Sequence, residues 1–178
     1  NDEYHSLMPQ WDDTKDIKVK LELFHTKTDL FIEFDIIEKE LRMESKFNND
    51  KVYEDSCVEF FVKRCDRKEY LNFEISASSF MLVGKGESRF NRILFSNKEI
   101  SEIKRDISIL EKNRNNCHWR VNISINLVKW GLLNAGENIE NLILKGNFYK
   151  CGDKLKEPHY LSLFPINSES PNFHVPNS

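Results

Sequence analysis

Apolar side chains recur at every second position through much of this 178-residue chain, and a period of two restricts such stretches to strands with one buried face. The pattern is clearest in Ile17-Lys-Val-Lys-Leu-Glu-Leu23 and Leu30-Phe-Ile-Glu-Phe-Asp-Ile36. It returns in Val58–Val62, Leu71–Ile75, Ile107–Ile109 and Trp119–Ile125, each bounded by polar segments that suit turns. Helical signals are few, one over Asn97–Ile103 and one over Asn126–Gly131. Six to ten short strands with one or two short helices predict an all-β fold, a two-layer antiparallel β-sandwich.

No linker, repeat or low-complexity tract divides the chain, so residues 1–178 are read as one domain. Trp11 with Asp12 and Asp13 reads as a leading segment anchored by an aromatic, and Pro176-Asn-Ser178 stops without a closing strand. The chain starts at Asn1 with no basic or apolar leader-like segment, which by itself says nothing of location. No stretch approaches the ~18 apolar residues of a membrane helix. Net charge is -3, with acidic and basic residues interspersed, so the basic stripe of a nucleic-acid binder is missing.

The signatures of P-loop, dinucleotide-binding, serine-hydrolase and zincin chemistry do not occur, and Gly84-Lys-Gly86 reads as a short glycine turn. Cys57, Cys65, Cys117 and Cys151 are widely spaced with no CxxC pair; buried free thiols are the default reading, disulfides stay open, and no metal ligands are assigned. Met81 is read as core rather than as an axial ligand. Among 29 acidic residues carboxylate pairs with glycosidase potential, such as Glu59 with Glu74, are expected by chance, and no catalytic residue is assigned.

Strand alternation puts Cys57, Glu59 and Phe61 opposite the apolar set Val58, Phe60 and Val62, and puts Asn72 and Glu74 opposite Leu71, Phe73 and Ile75. His118, Arg120, Asn122 and Ser124 likewise oppose Trp119, Val121 and Ile123. If these strands share a sheet, its outer face combines carboxylates, amides and aromatics. The tail adds Lys145-Gly-Asn-Phe-Tyr-Lys-Cys-Gly-Asp153, Pro158-His-Tyr-Leu-Ser-Leu-Phe-Pro165 and Pro171-Asn-Phe-His174. That mixture suits a sugar-binding edge better than a buried core, because aromatic faces stack on a pyranose while polar groups bond its hydroxyls.

Tyr53-Glu-Asp-Ser-Cys-Val-Glu-Phe-Phe-Val62, Tyr70-Leu-Asn-Phe-Glu-Ile75, Gly146-Asn-Phe-Tyr-Lys-Cys-Gly-Asp153 and Pro158-His-Tyr-Leu-Ser162, in this order, resemble the family 9 carbohydrate-binding modules and their bacterial relatives. The resemblance runs from about Trp11 to His174. It implies a jelly-roll or immunoglobulin-like sandwich and non-catalytic sugar binding in support of glycan degradation, alongside a glycoside hydrolase. A secreted, periplasmic or cell-surface location is an expectation that comes only with this resemblance. It implies no cofactor, with allowance for a structural calcium because some relatives hold metal ions. Tyr53 stands where the family's first stacking aromatic lies, and Glu59 at its sugar-bonding carboxylate. Glu74 falls where well-known members place an arginine, and Lys150 near a position where they use an amide. Their second tryptophan aligns with Leu163, for which Phe164 or Tyr149 would have to substitute. The ligand contacts expected are Tyr53, Glu59, Glu74, Arg92, Asn147, Tyr149 and Lys150, with Arg89 and Arg92 closing over the sugar from a loop. The alternative is a structural or protein-interaction sandwich that has lost its sugar site at Leu163.

Overall fold

A computed structural model describes residues 4–11 and 16–175. Asp12 and Asp13, and Pro176-Asn-Ser178, lie outside the described residues. Twelve strands occur among those described: β1 His5–Ser6, β2 Met8–Pro9, β3 Lys18–His25, β4 Asp29–Glu38, β5 Cys57–Arg64, β6 Tyr70–Ser76, β7 Met81–Gly86, β8 Ile93–Leu94, β9 Lys104–Lys112, β10 Cys117–Asn126, β11 Leu144–Cys151 and β12 Tyr160–Ser162. They form a five-stranded sheet, β1-β3-β4-β10-β9, and a seven-stranded sheet, β2-β12-β11-β5-β6-β7-β8. Pairing is antiparallel throughout. The six strands read from alternation are all present. The short helix is Asn97–Ser101, opened by a capping box in which Ser96 accepts from the Glu99 amide and Glu99 accepts from the Ser96 amide. Residues 126–131 form hydrogen-bonded turns and no helix.

The core lies between the sheets. Leu21, Phe34, Ile36, Trp119 and Val121 face Val58, Phe60, Phe73, Val83 and Phe148, all buried. The Phe60 ring stacks on Phe148 with centroids 4.7 Å apart, and Phe148 meets Phe34 of the opposite sheet edge-on at 6.1 Å. Burying each such side chain contributes ~1.5–3 kcal/mol, so this inner layer aligns the two sheets. Met81 is fully buried in the same layer.

Two readings change here. Gly84-Lys-Gly86 is the second half of strand β7 and not a turn. A Cβ at Gly84 would sit 3.1 Å from Asn72 Oδ1 and 3.3 Å from Leu94 Cδ2, so glycine lets neighbouring side chains pack onto the strand. Strand β10 belongs to the five-stranded sheet, away from β5 and β6. On that sheet's outer face Arg120 Nη2 donates to Asp35 Oδ2 at 2.7 Å, and His118 Nε2 lies 2.7 Å from Asp35 Oδ1. These are partly exposed polar contacts of the outer face, an Arg120–Asp35 ion pair and a His118–Asp35 hydrogen bond, and not part of a shared site with Glu59 and Glu74.

Candidate functional site

The register of β11, β5 and β6 fixes a grid of outward side chains. Cys57 lies opposite Cys151 and Ser76, Glu59 opposite Tyr149 and Glu74, and Phe61 opposite Asn147 and Asn72. This face is not left to solvent, because the tail folds back across it. Phe173 stacks on Tyr149 with centroids 4.1 Å apart, and the Tyr149 hydroxyl donates to Phe173 O at 3.3 Å. His174 Nδ1 lies 2.7 Å from the Tyr70 hydroxyl, and Trp11 Nε1 donates to Ser168 O at 2.7 Å. Glu59 and Glu74 are buried as a result, 4% and 5% exposed. Between the tail, the loop carrying Arg89 and Arg92, and the strand face lies a cavity of about 430 Å³, lined by Tyr53, Glu59, Glu74, Arg92, Asp153 and Phe173 among others.

The carboxyls of Glu59 and Glu74 are within hydrogen-bonding reach of each other. Burial, and then the neighbouring Glu74 charge, pushes Glu59 well above the usual carboxyl range. Burial raises Glu74 too, but hydrogen bonds from Glu59 and Asn72 counter it. The neutral form is therefore favoured more strongly at Glu59 than at Glu74. Asn72 contributes to this difference: its Nδ2 donates to Glu74 Oε2 at 2.7 Å, while its Oδ1 accepts from Arg92 Nη2 at 2.6 Å and Nε at 3.0 Å. Arg92 also donates to Tyr70 O at 3.1 Å and lies 4.2 Å over the Tyr70 ring, which fixes its guanidinium at the cavity wall.

Tyr53 projects from a 3-10 turn, Val52–Glu54. Its carbonyl accepts from Asp153 N at 3.0 Å, and Glu54 O accepts from Lys154 N at 3.2 Å, so the aromatic and the Asp153 carboxyl are placed together. Burial raises both Tyr53 and Asp153. Asp55 anchors the turn from below, its Oδ2 accepting from Ser45 N at 2.9 Å, Ser45 Oγ at 2.7 Å and Ser76 Oγ at 2.7 Å. The Glu-Asp-Ser run thus works as a brace beneath Tyr53.

Of the seven contacts expected from sequence, Tyr53, Glu59, Glu74 and Arg92 line the cavity, as does Arg89. Asn147, Tyr149 and Lys150 do not. Asn147 shares the outward face, but its amide holds the chain at Phe164, donating to Phe164 O and accepting from Phe164 N, each at 3.0 Å. Tyr149 is buried beneath Phe173. Lys150 points the other way, into the core, with no exposed side-chain surface. Strand β11 is an interior strand, not an edge, and at Gly146 a Cβ would come within 2.7 Å of Phe61 O. Leu163 packs partly buried against the core, and Phe164 lies outside the cavity. The second aromatic wall comes from Phe173 and Tyr160. The signal for it was Pro171-Asn-Phe-His174, noted in the sequence but not assigned to the site.

A larger hollow of about 700 Å³ opens elsewhere, lined by Glu38, Lys39, Arg114, Glu157 and His159 among others. No Phe, Tyr or Trp lines it, so it offers no stacking face.

The family model for carbohydrate-binding family 9 matches residues 8–178. A structure of a candidate carbohydrate-binding protein from Bacteroides uniformis is 31% identical, superposes with a TM-score of 0.88, and aligns over 98% of this chain and 83% of that one. The chain belongs to carbohydrate-binding family 9. A family 9 module from Caldicellulosiruptor kristjanssonii in complex with glucose shares the fold at 10% identity, TM-score 0.58, over 91% of this chain and 74% of that one. The same organism's module with cellotriose gives 11% identity and TM-score 0.55, over 91% and 72%. A search of curated proteins returns no match.

The function that goes with membership of family 9 is non-catalytic carbohydrate binding, and an intact aromatic-lined cavity gives no support to a scaffold that has lost its site. Paired glycosidase carboxyls stand about 5–5.5 Å apart in retaining enzymes and further in inverting ones. Glu59 and Glu74 instead hydrogen-bond to each other, which suits them to bonding hydroxyls. Calcium takes six to eight oxygen ligands. Among the described residues the one grouping of three potential metal ligands is Cys57, Glu59 and Cys151, whose thiols do not suit that ion.

Proposed function

We propose that this family 9 domain holds about one or two sugar rings at a glycan end in the cavity on the outer face of its seven-stranded sheet, without catalysis. The observation that carries this reading is the convergence of Tyr53, Tyr160 and Phe173 with Glu59, Glu74, Arg92 and Asp153 in one cavity of about 430 Å³. That volume lies within the ~300–1,000 Å³ of small-molecule sites. Tyr53 and Phe173 flank the sugar's C–H faces. Glu59, whose neutral form burial favours, offers a donor and an acceptor to hydroxyls, Glu74 accepts, and Arg92 donates. No cofactor is required.

The Caldicellulosiruptor modules, solved with glucose and cellotriose, support glucose-containing glycans as the ligand class. Family membership supports an exported bacterial protein at the cell surface, in the periplasm or outside the cell, assisting a glycoside hydrolase in polysaccharide degradation. Titration calorimetry against glucose, cello-oligosaccharides and a panel of other plant and host glycans tests the reading. Saturable heat that Tyr53→Ala abolishes is the expected result. Absence of heat with every glycan would overturn it.

A further inference from the structure

Beneath the cavity, two of the four cysteines meet. Cys57 on β5 and Cys151 on β11 are direct cross-strand partners, and Glu59 lies two residues along the same face of β5. Both sulfurs and a Glu59 carboxylate oxygen lie within 4.8 Å of one another, and Cys151 Sγ is 3.4 Å from Glu59 Oε1. With metal–sulfur bonds of about 2.3 Å and metal–oxygen bonds of about 2.0 Å, a tetrahedral zinc site holds its ligand atoms roughly 3.5–3.8 Å apart. Closing the cluster onto an ion therefore needs shifts on the order of an ångström, within the reach of side-chain rotation on a fixed backbone. The backbone is fixed here, because both strands lie in the interior of the sheet.

The donor set suits a cation at this place once its protons are displaced. Cys57, Cys151, Glu59 and Glu74 crowd together, and among the described residues no lysine or arginine donates a hydrogen bond to any of them. Lys150, next in sequence, points to the opposite face and is committed to Glu38. Arg92 is committed to the carbonyl oxygens of Asn72, Tyr70 and Ser88. Two sulfurs select a thiophilic ion such as zinc over calcium or magnesium.

We propose that Cys57 Sγ, Cys151 Sγ and Glu59 form a binding site for a thiophilic divalent cation of the zinc class, in the floor of the cavity. Glu59 and Cys151 both line that cavity, so the fourth coordination position opens towards it, within reach of Glu74, a water or a ligand hydroxyl. Loading balances as one divalent ion exchanged for the two thiol protons and the Glu59 proton, leaving the three-ligand site with a single negative charge. Cys65, exposed just past the far end of β5, and Cys117, on the other sheet, take no part. The sequence could not propose this site, because its two cysteines are separated by three intervening strands of the seven-stranded sheet and two of the other.

Cobalt(II) tests the proposal on the whole, fully reduced chain under anaerobic conditions. The expected result is a thiolate-to-cobalt charge-transfer band with the intense visible bands of tetrahedral coordination, saturating at one ion per chain and displaced by zinc. Cys57→Ser and Cys151→Ser each lose the charge-transfer band's full intensity, and Cys65→Ser retains it. Should a serine variant fail to fold, alkylation of the unaltered protein is decisive: zinc protects Cys57 and Cys151 while Cys65 reacts at an unchanged rate. No band with all four thiols titratable, a band that survives both serine substitutions, or no protection by zinc would each overturn the site. A Cys57–Cys151 disulfide that forms in air, in a protein whose reduced form gives no band, also overturns it and makes the pair a redox cross-link. Sugar calorimetry is read separately: heat without a band sinks the metal site alone, and a band without heat sinks the sugar reading alone.

Discussion

Lys150 reaches from strand β11 through the core to Glu38 on strand β4 of the opposite sheet, Nζ to Oε1 3.2 Å, with both side chains inaccessible to solvent. The ammonium also donates to Cys151 O at 2.8 Å and meets His159 Nε2 at 2.6 Å, which satisfies all three of its donors. Glu38 Oε2 accepts from Trp119 Nε1 at 2.7 Å. This buried network links the two sheets and fixes how they register.

Removing one partner of such a pair strands the other charge in a dry interior, at about 3–5 kcal/mol. Lys150→Ala is expected to lower the free energy of unfolding by that order in urea denaturation, while the folded fraction keeps its sugar affinity within about twofold. A selective loss of affinity with unchanged stability would return Lys150 to the binding site.

Replacing Glu59 reverses the ordinary effect of removing a carboxylate. Its pKa is higher folded than unfolded, so above about 4.3 the unfolded chain releases a proton that the native state keeps. Stability from this residue is intact at low pH and falls as pH rises towards its native pKa. Glu59→Gln is expected to raise the thermal midpoint at pH 7, by about 2–4 °C per kcal/mol recovered, and to change it little at pH 4. Equal shifts at both pH values would contradict a raised Glu59 carboxyl in the native state.

The histidines set the acid limit. Burial first, then the Lys150 ammonium, lowers His159 to about 3, and burial followed by Arg92 and Arg89 lowers His174 to about 4. Unfolded imidazoles take up protons near 6.5. Between those values the unfolded state binds more protons, so stability drops on acidification from about pH 6.5. At pH 4.5 the loss through His159 is on the order of 3 kcal/mol. Urea midpoints measured from pH 7 to 4.5 should show a steep slope that His159→Gln flattens. An unaltered slope would mean that His159 protonates in the native state.

Asp55 should couple the brace to the site. Burial pushes its carboxyl up, but hydrogen bonds from Ser45, Ser76 and the Glu44 amide outweigh this and hold it below the usual range. Its stabilisation is complete above about 3.9 and lost as pH falls towards the native value. Asp55→Ala is expected to cost on the order of 3 kcal/mol at pH 7 and to weaken sugar binding through Tyr53. Full affinity in the folded variant would show that the turn holds Tyr53 unaided.

Phe173→Ala removes the wall that the tail supplies. A lost aromatic contact of about 1.5 kcal/mol corresponds to roughly tenfold weaker sugar binding, with Tyr149 newly exposed to quenchers of its fluorescence. Calorimetry showing wild-type affinity would place the second stacking face at Tyr160.

The alternation in Ile17–Leu23, Leu30–Ile36 and Val58–Val62 determined the strands, because a pleated strand sends successive side chains to opposite faces whatever its neighbours are. It also determined that Glu59 and Glu74 face away from the apolar core, and the Tyr53 motif was legible because its spacing along the chain is local. Partnership between strands was decided by tertiary structure alone. Nothing near Arg120 in sequence says that its strand joins the other sheet, or that the tail returns to bury Glu59 and offer Phe173 where Leu163 stands in the alignment. Lys150 shows the same limit. In sequence it is a lysine among aromatics, and it lies on the core side only because its strand pairs with β5 and β12 in a register that turns Tyr149 outward and Lys150 towards Glu38. Such register is chosen by the summed burial of both sheets, a property of contacts between residues far apart in the chain.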